Sequence, residues 1–90
     1  MIEVRNLKNT GDNLPSSKYS SWLDFWEKSK GRKAGKCSNI YCGQKASVGA
    51  HVKIANGSND WYIVPLCNAC NNYNNDDDFC IDERDLVKLN

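Results

Sequence analysis

The sequence has no long apolar run and very few residues of several types: of its 90 residues one is histidine, one is methionine and two are proline. No segment approaches the ~18 consecutive apolar residues that a membrane-spanning helix needs. Residues 1–6 also lack the cationic segment and apolar run of a secretory signal peptide. We therefore expect a soluble protein of a reducing compartment, the cytoplasm, that has no membrane partner.

Neither sign of charge dominates the chain, since 12 Lys and Arg face 11 Asp and Glu, for a net charge of +1. The two halves differ, however. Residues 1–45 carry nine basic and four acidic side chains, which gives +5, and residues 46–90 carry three and seven, which gives −4.

Five cations lie close together in the first half, at Lys28, Lys30, Arg32, Lys33 and Lys36. Such a run is either a solvated connector or a patch that contacts the phosphates of DNA or RNA, because Lys and Arg along a backbone release its counterions. These five residues are the candidate nucleic-acid-binding residues.

The chain is short enough that its hydrophobic core alone would be marginal. It contains five cysteines, and an odd number argues against a closed disulfide framework. In a reducing compartment, clustered cysteines bind metal more often than they pair with each other.

Four of the cysteines form two close pairs, Cys37-x4-Cys42 and Cys67-x2-Cys70. Two close pairs from distant segments supply the four tetrahedral ligands that zinc requires. We predict a structural Zn²⁺ that these four thiolates hold; a redox disulfide and an iron site are the alternatives. A four-thiolate site is coordinatively closed and does no catalysis itself. Cys80 is expected to be a small buried hydrophobic residue, or a replacement ligand in an alternative site.

The first half of the chain predicts a short strand at residues 2–5 and then an amphipathic helix. Its aromatic stripe has helical spacing and consists of Tyr19, Trp22, Leu23 and Trp26. Ser21 and Asp24 resemble a capping box, and Gly31 is a plausible stop. The stripe is either core or an exposed face that docks a protein partner or stacks on bases.

The second half predicts a β-hairpin, from strands at residues 50–54 and 61–64 around an Asn-Gly turn, with Pro65 closing the second strand. A short, Asn-rich helix is expected at residues 67–75, and residues 79–81 and 86–89 are expected to form a strand or packing segments. Knuckle, hairpin and helix in that order describe a treble clef. The predicted fold is therefore a small α+β, zinc-bound treble clef with an N-terminal amphipathic helix.

The whole chain, 1–90, is expected to be a single zinc-stabilised domain. Within it, 1–36 is the N-terminal arm and aromatic helix, 37–75 is the zinc core, and 76–90 is a C-terminal packing segment.

Two segments, Gly-Ala-His-Val at 49–52 and Ile-Val-Pro-Leu-Cys-Asn-Ala-Cys-Asn at 63–71, resemble the ββα-metal core of zinc-containing HNH endonucleases. The resemblance covers roughly 37–75. It implies that His51 is the general base that activates water, and that Asn71 and Asn74 lie at or near positions that hold a second divalent cation such as Mg²⁺. Two positions depart from the pattern: Ala50 stands where the family has a metal-binding Asp or His, and Tyr62 where it usually has Asn.

Three functions follow as hypotheses. The first is an HNH-like binding module for nucleic acid or a protein, without nuclease activity. The second is a divergent metal-dependent endonuclease with His51 as base, in which Asn71, Asn74, Asn75 or the carboxylates at 76–78 help to hold the cation. The third is a structural protein that docks through its tryptophan face. For His51 itself, a packed residue, a partner of a zinc thiolate, a nucleic-acid contact and a catalytic base are all open.

Overall fold

A computed structural model of the chain describes residues 1–7, 14–57, 59–72 and 77–89. The elements are, in order, strand β1 (Ile2–Asn6), helix α1 (Trp22–Lys30), strands β2 (Val48–Ile54), β3 (Tyr62–Leu66) and β4 (Phe79–Ile81), a 3₁₀ turn (Glu83–Asp85) and strand β5 (Val87–Lys88). All pairings are antiparallel, in the strand order β4-β1-β2-β3-β5. The expected small α+β class is confirmed. Within the described residues, no helix has the length and apolar character needed to cross a membrane.

The N-terminal strand lies inside the sheet rather than at its edge. β1 pairs with β2 through Val4 and Ile54, and with β4 through Val4 and Phe79. Val4 is fully buried as a result. The first residues of the chain therefore join the hairpin to the C-terminal strands.

The sheet separates two layers. Successive side chains of a strand point to opposite faces, and one face packs with the cysteines in a core of Val4, Cys37, Ala50, Val52, Val64, Leu66, Cys67, Phe79 and Ile81. We call this the cysteine face. His51 and Ile63, which pair across β2 and β3, point to the other side, the helix face.

Helix α1 covers the helix face. Its limits follow the local signals: the Ser21 hydroxyl accepts the Asp24 N–H at the N-terminus, and Gly31 adopts a left-handed φ of 70° at the C-terminus. The Asp24 carboxylate bonds to the Ser20 N–H rather than to that of Ser21, so the capping box is displaced by one residue. Tyr19, expected in the helical stripe, precedes the helix, which begins at Trp22.

The helix approaches β2 most closely at Gly49. A Cβ atom at this position would lie 2.5 Å from the backbone nitrogen of Leu23 and 2.5 Å from the carbonyl carbon of Trp22. Only a residue without a side chain allows this contact between the first helical turn and the strand.

Two local expectations differ from the structure. Pro65 does not close β3, which continues to Leu66. The carbonyl of Pro65 accepts the Ser38 N–H, and since the N and C=O of one residue point to the same edge, its missing N–H lies on the side away from β2. The expected helix after β3 is absent from its described part, Cys67 to Asn72, which forms hydrogen-bonded turns; Asn is a weak helix former. Residues 73–75 lie outside the described part of the chain.

Candidate metal centre

The first cysteine pair lies on a small hairpin that precedes β2. Cys37 donates its backbone N–H to the Gln44 carbonyl, and Cys42 donates to the Asn39 carbonyl, each at 2.9 Å. The two bonds fold residues 37–42 into a tight turn. Cys37 is buried and Cys42 is half-buried, so this turn presents two thiols to the cysteine face.

The second pair lies in the turn that follows β3. The Asn71 N–H bonds to the Cys67 carbonyl at 3.1 Å. Asn6, a buried residue of β1, donates its side-chain amide to the Cys70 carbonyl at 2.7 Å. The central strand thereby fixes the turn, which carries Cys67 and Cys70 toward the first pair.

The four Sγ atoms of Cys37, Cys42, Cys67 and Cys70 lie within 4.8 Å of one another. The Cys42 and Cys67 Sγ atoms are 3.7 Å apart. Four thiolates bound to zinc at 2.3 Å form a tetrahedron whose edge is about 3.8 Å. The donor set thus fits a tetrahedral metal ion, and the sequence-predicted cluster is present.

Amide donors are directed at the sulfur atoms. The Cys70 N–H lies 3.4 Å from the Cys67 Sγ, and the Asn39 side-chain amide lies 3.6 Å from the Cys70 Sγ. The Cys70 N–H lowers the pKa of Cys67 to about 7. Amides that donate to sulfur stabilise thiolates and orient them as ligands.

The other thiols of the cluster have the opposite tendency. Burial raises the pKa of Cys37, and burial together with the neighbouring thiol of Cys67 raises that of Cys70. Protons on crowded, buried thiols are what a divalent cation displaces when it binds. The four cysteines could therefore hold a metal ion, and their number leaves no open position on a tetrahedral one.

Cys80 is separate from this cluster. It lies on β4, is only partly buried, and pairs across the strands with Glu3. The expectation of a buried small hydrophobic residue is wrong, because Phe79 and Ile81 take the buried positions of this short strand and Cys80 alternates with them.

The five candidate cations do not form one free patch. Three of them pair with carboxylates: Lys28 with Asp24 at 3.2 Å, Arg32 with Asp85 at 3.0 Å and Lys33 with Glu27 at 3.7 Å. Among the described residues, no carboxylate pairs with Lys30 or Lys36. The run of basic residues is partly neutralised within the domain.

His51 lies between two indole rings on the helix face. Its ring centroid is 4.9 Å from that of Trp22 and 5.8 Å from that of Trp61, both in edge-to-face geometry. The residue is only 6% exposed, and its Nε2 has no hydrogen-bond partner among the described residues. Burial lowers its pKa.

The structure does not bring His51 and Asn71 together. Asn71 follows Cys70 in the turn on the cysteine face, whereas the His51 side chain lies on the helix face, so the sheet separates them. Of the other candidate cation ligands, Asn74, Asn75 and Asp76 lie outside the described residues. Asp78, within them, pairs with Arg5 at 2.7 Å.

Several residues that support the site were not identified from the sequence. Asn6 and Asn39 hold the metal turns, and Ser38 donates its hydroxyl to Asp85 at 2.9 Å. Only one of these relationships has a local signal: Asn39 lies between Cys37 and Cys42, where a side-chain amide can reach a ligand sulfur.

Comparisons with protein-family models, with curated proteins and with solved structures each found no match. The likeness to HNH endonucleases stays a likeness of the quoted residues.

Proposed function

We propose that the chain is a binding module for nucleic acid, held together by a structural zinc ion and without nuclease activity. The observation that carries the proposal is the contrast between the two residue sets. The four cysteines converge at tetrahedral spacing, whereas His51 and Asn71 lie on opposite sides of the sheet.

Zinc is the ion that this donor set suits best among those considered. Four thiolates in a tetrahedron are typical of structural zinc sites, and zinc needs no redox chemistry to remain bound. The order of the elements agrees with a treble clef, since a cysteine turn precedes the β2–β3 hairpin and the second cysteine turn follows it directly. Metal bound here would supply folding free energy to a small domain.

Nucleic acid is the preferred partner because the aromatic face of α1 is occupied within the domain. Trp26 is fully buried, and Trp22 packs on His51. Little of the aromatic stripe is left to dock a protein, whereas basic side chains remain on the surface of the turn that leads into the metal centre.

The nuclease hypothesis is tested by plasmid cleavage with Mg²⁺ or Mn²⁺. We expect no nicking above that of a buffer control, since the only histidine is enclosed by Trp22 and Trp61. Cleavage by the native chain that His51→Ala abolishes would contradict the proposal and support the endonuclease.

The binding proposal itself is tested by fluorescence anisotropy with labelled single-stranded DNA, duplex DNA and RNA across a series of salt concentrations. We expect binding that weakens linearly in log affinity against log salt, as counterion release requires. Absence of binding to all three at low salt would refute nucleic acid as the partner.

A further inference from the structure

One stretch of the chain contains only positive charges. From Lys28 to Asn59 there is no Asp or Glu, while seven Lys and Arg are present: Lys28, Lys30, Arg32, Lys33, Lys36, Lys45 and Lys53. Partners for these cations must come from other parts of the chain. Lys28, Arg32 and Lys33 have such partners in Asp24, Asp85 and Glu27.

Lys36 and Lys45 are arranged differently, as a pair of like charges. They face each other across the base of the small hairpin that carries Cys37 and Cys42. The bonds Ala46 N–H to Gly35 C=O and Cys37 N–H to Gln44 C=O flank them, which makes this the non-hydrogen-bonded position of an antiparallel ladder. At such a position the Cβ atoms of a pair are about 4.5–5.5 Å apart and point to one side.

Nothing within the described residues compensates this pair. Both lysines are exposed, and no described carboxylate forms an ion pair with either of them. Like charges directly opposite each other destabilise a ladder. An anion placed between the two ammonium groups would relieve that repulsion and gain two contacts at once.

An aromatic ring extends from the same hairpin. Tyr41, at the turn between the two ligand cysteines, is 85% exposed. Its backbone N–H bonds to the side chain of Asn39, whose amide in turn donates to the Cys70 Sγ. The metal centre thus holds the backbone at Tyr41, and an exposed ring beside paired cations is the combination that binds single-stranded nucleic acid.

We propose that Lys36 and Lys45 form the phosphate-binding site of this domain and that Tyr41 stacks on a base of the bound single strand. The inference rests on the proposed nucleic-acid binding and specifies its surface. It moves the contact from the ion-paired part of the basic run, residues 28–33, to the hairpin that the metal organises.

A second role for the two lysines has to be separated from this one. Four thiolates with one divalent cation carry a net charge of about −2, and nearby ammonium groups could serve only to balance it. In that case removal of the lysines would weaken metal retention rather than nucleic-acid binding.

The experiment compares two double variants that lose the same charge. Lys36→Gln/Lys45→Gln removes the unpaired cations, and Lys28→Gln/Lys33→Gln removes two that are already paired with carboxylates. Affinity for a labelled single-stranded DNA is measured by anisotropy over a salt series. Zinc content and the far-ultraviolet spectrum are measured on the same samples.

We expect Lys36→Gln/Lys45→Gln to bind about tenfold or more weakly, with the salt slope reduced by about 1.4 to 1.8 for two lost phosphate contacts. The control double should keep most of the native affinity. Tyr41→Ala should weaken binding while leaving the salt slope unchanged, because stacking releases no counterions. The conservative Lys36→Arg/Lys45→Arg should retain binding.

Equal weakening in both glutamine doubles would overturn the inference, since net charge alone would then explain the affinity. Loss of zinc in Lys36→Gln/Lys45→Gln would also overturn it and assign the lysines to the metal cluster. If the native chain binds no nucleic acid, the proposed function fails as well, and this result is distinguishable from the first two.

Discussion

The Ser38 hydroxyl donates a 2.9 Å hydrogen bond to the carboxylate of Asp85, although the two residues are 47 positions apart. Ser38 follows the ligand cysteine Cys37, and Asp85 ends the 3₁₀ turn before β5. The same carboxylate accepts from Arg32 at 3.0 Å, and its backbone carbonyl accepts from the indole of Trp26 at 2.7 Å. Asp85 therefore connects the metal turn, the helix and the C-terminal segment.

Asp85→Ala should destabilise the domain by about 1–3 kcal/mol, because the buried Ser38 hydroxyl and the Arg32 guanidinium lose their acceptor. The measurement is urea unfolding followed by tryptophan fluorescence in excess zinc. Glu83→Ala is the matched control, since it removes an exposed carboxylate from the same turn and should cost less than about 0.5 kcal/mol. Equal effects of the two substitutions would show that the Asp85 contacts contribute no specific stability.

Gly49→Ala should destabilise the domain by about 1–3 kcal/mol, because the new methyl group meets the backbone of Trp22 and Leu23 at 2.5 Å. Neither backbone can move unless the first turn of α1 leaves β2. Gly35→Ala is the control: a Cβ there meets nothing within 4 Å. Thermal unfolding of both variants decides, and an unchanged midpoint for Gly49→Ala would contradict the observed packing of helix on strand.

His51 should make stability dependent on pH below about 6.5, the ordinary pKa of the side chain. Burial lowers the pKa in the folded chain, so protons bind to the unfolded chain first. The contribution of His51 is complete above pH 6.5, and it falls by up to about 1.4 kcal/mol per pH unit until the folded pKa is reached.

Unfolding of the native chain and of His51→Gln, measured in zinc between about pH 7.5 and about pH 5.5, isolates this effect. Loss of zinc at acid pH affects both proteins, and only their difference reports His51. That difference should change with pH in the direction that favours the variant at low pH. Parallel profiles, or an NMR titration of His51 at or above its ordinary pKa, would contradict the burial between Trp22 and Trp61.

Local signals in the sequence were sufficient for the helix and the hairpin. Ser21 and Gly31 limit α1 as expected because capping depends on residues within one turn of the chain end. The two cysteine pairs were likewise recognisable, since ligand spacing within each pair is a local property. The cluster that they form required only that the hairpin return the chain.

Long-range relationships could not be derived in this way. Nothing local places β1 between β2 and β4, because its five residues pair with partners about 50 and about 75 positions away. The consequence for the site is direct. Whether His51 faces the cysteines or the helix depends on the register of β2 with β3, and a shift by one residue would reverse it.

The central claim is that one metal ion on four cysteines holds this domain together. The most direct test is metal analysis of the purified chain, followed by removal of the metal with a chelator under reducing conditions while circular dichroism is recorded. We expect about one equivalent of zinc, loss of the folded signal on chelation and its recovery when zinc is returned. A chain that contains no metal, or that stays folded after chelation, would contradict the account.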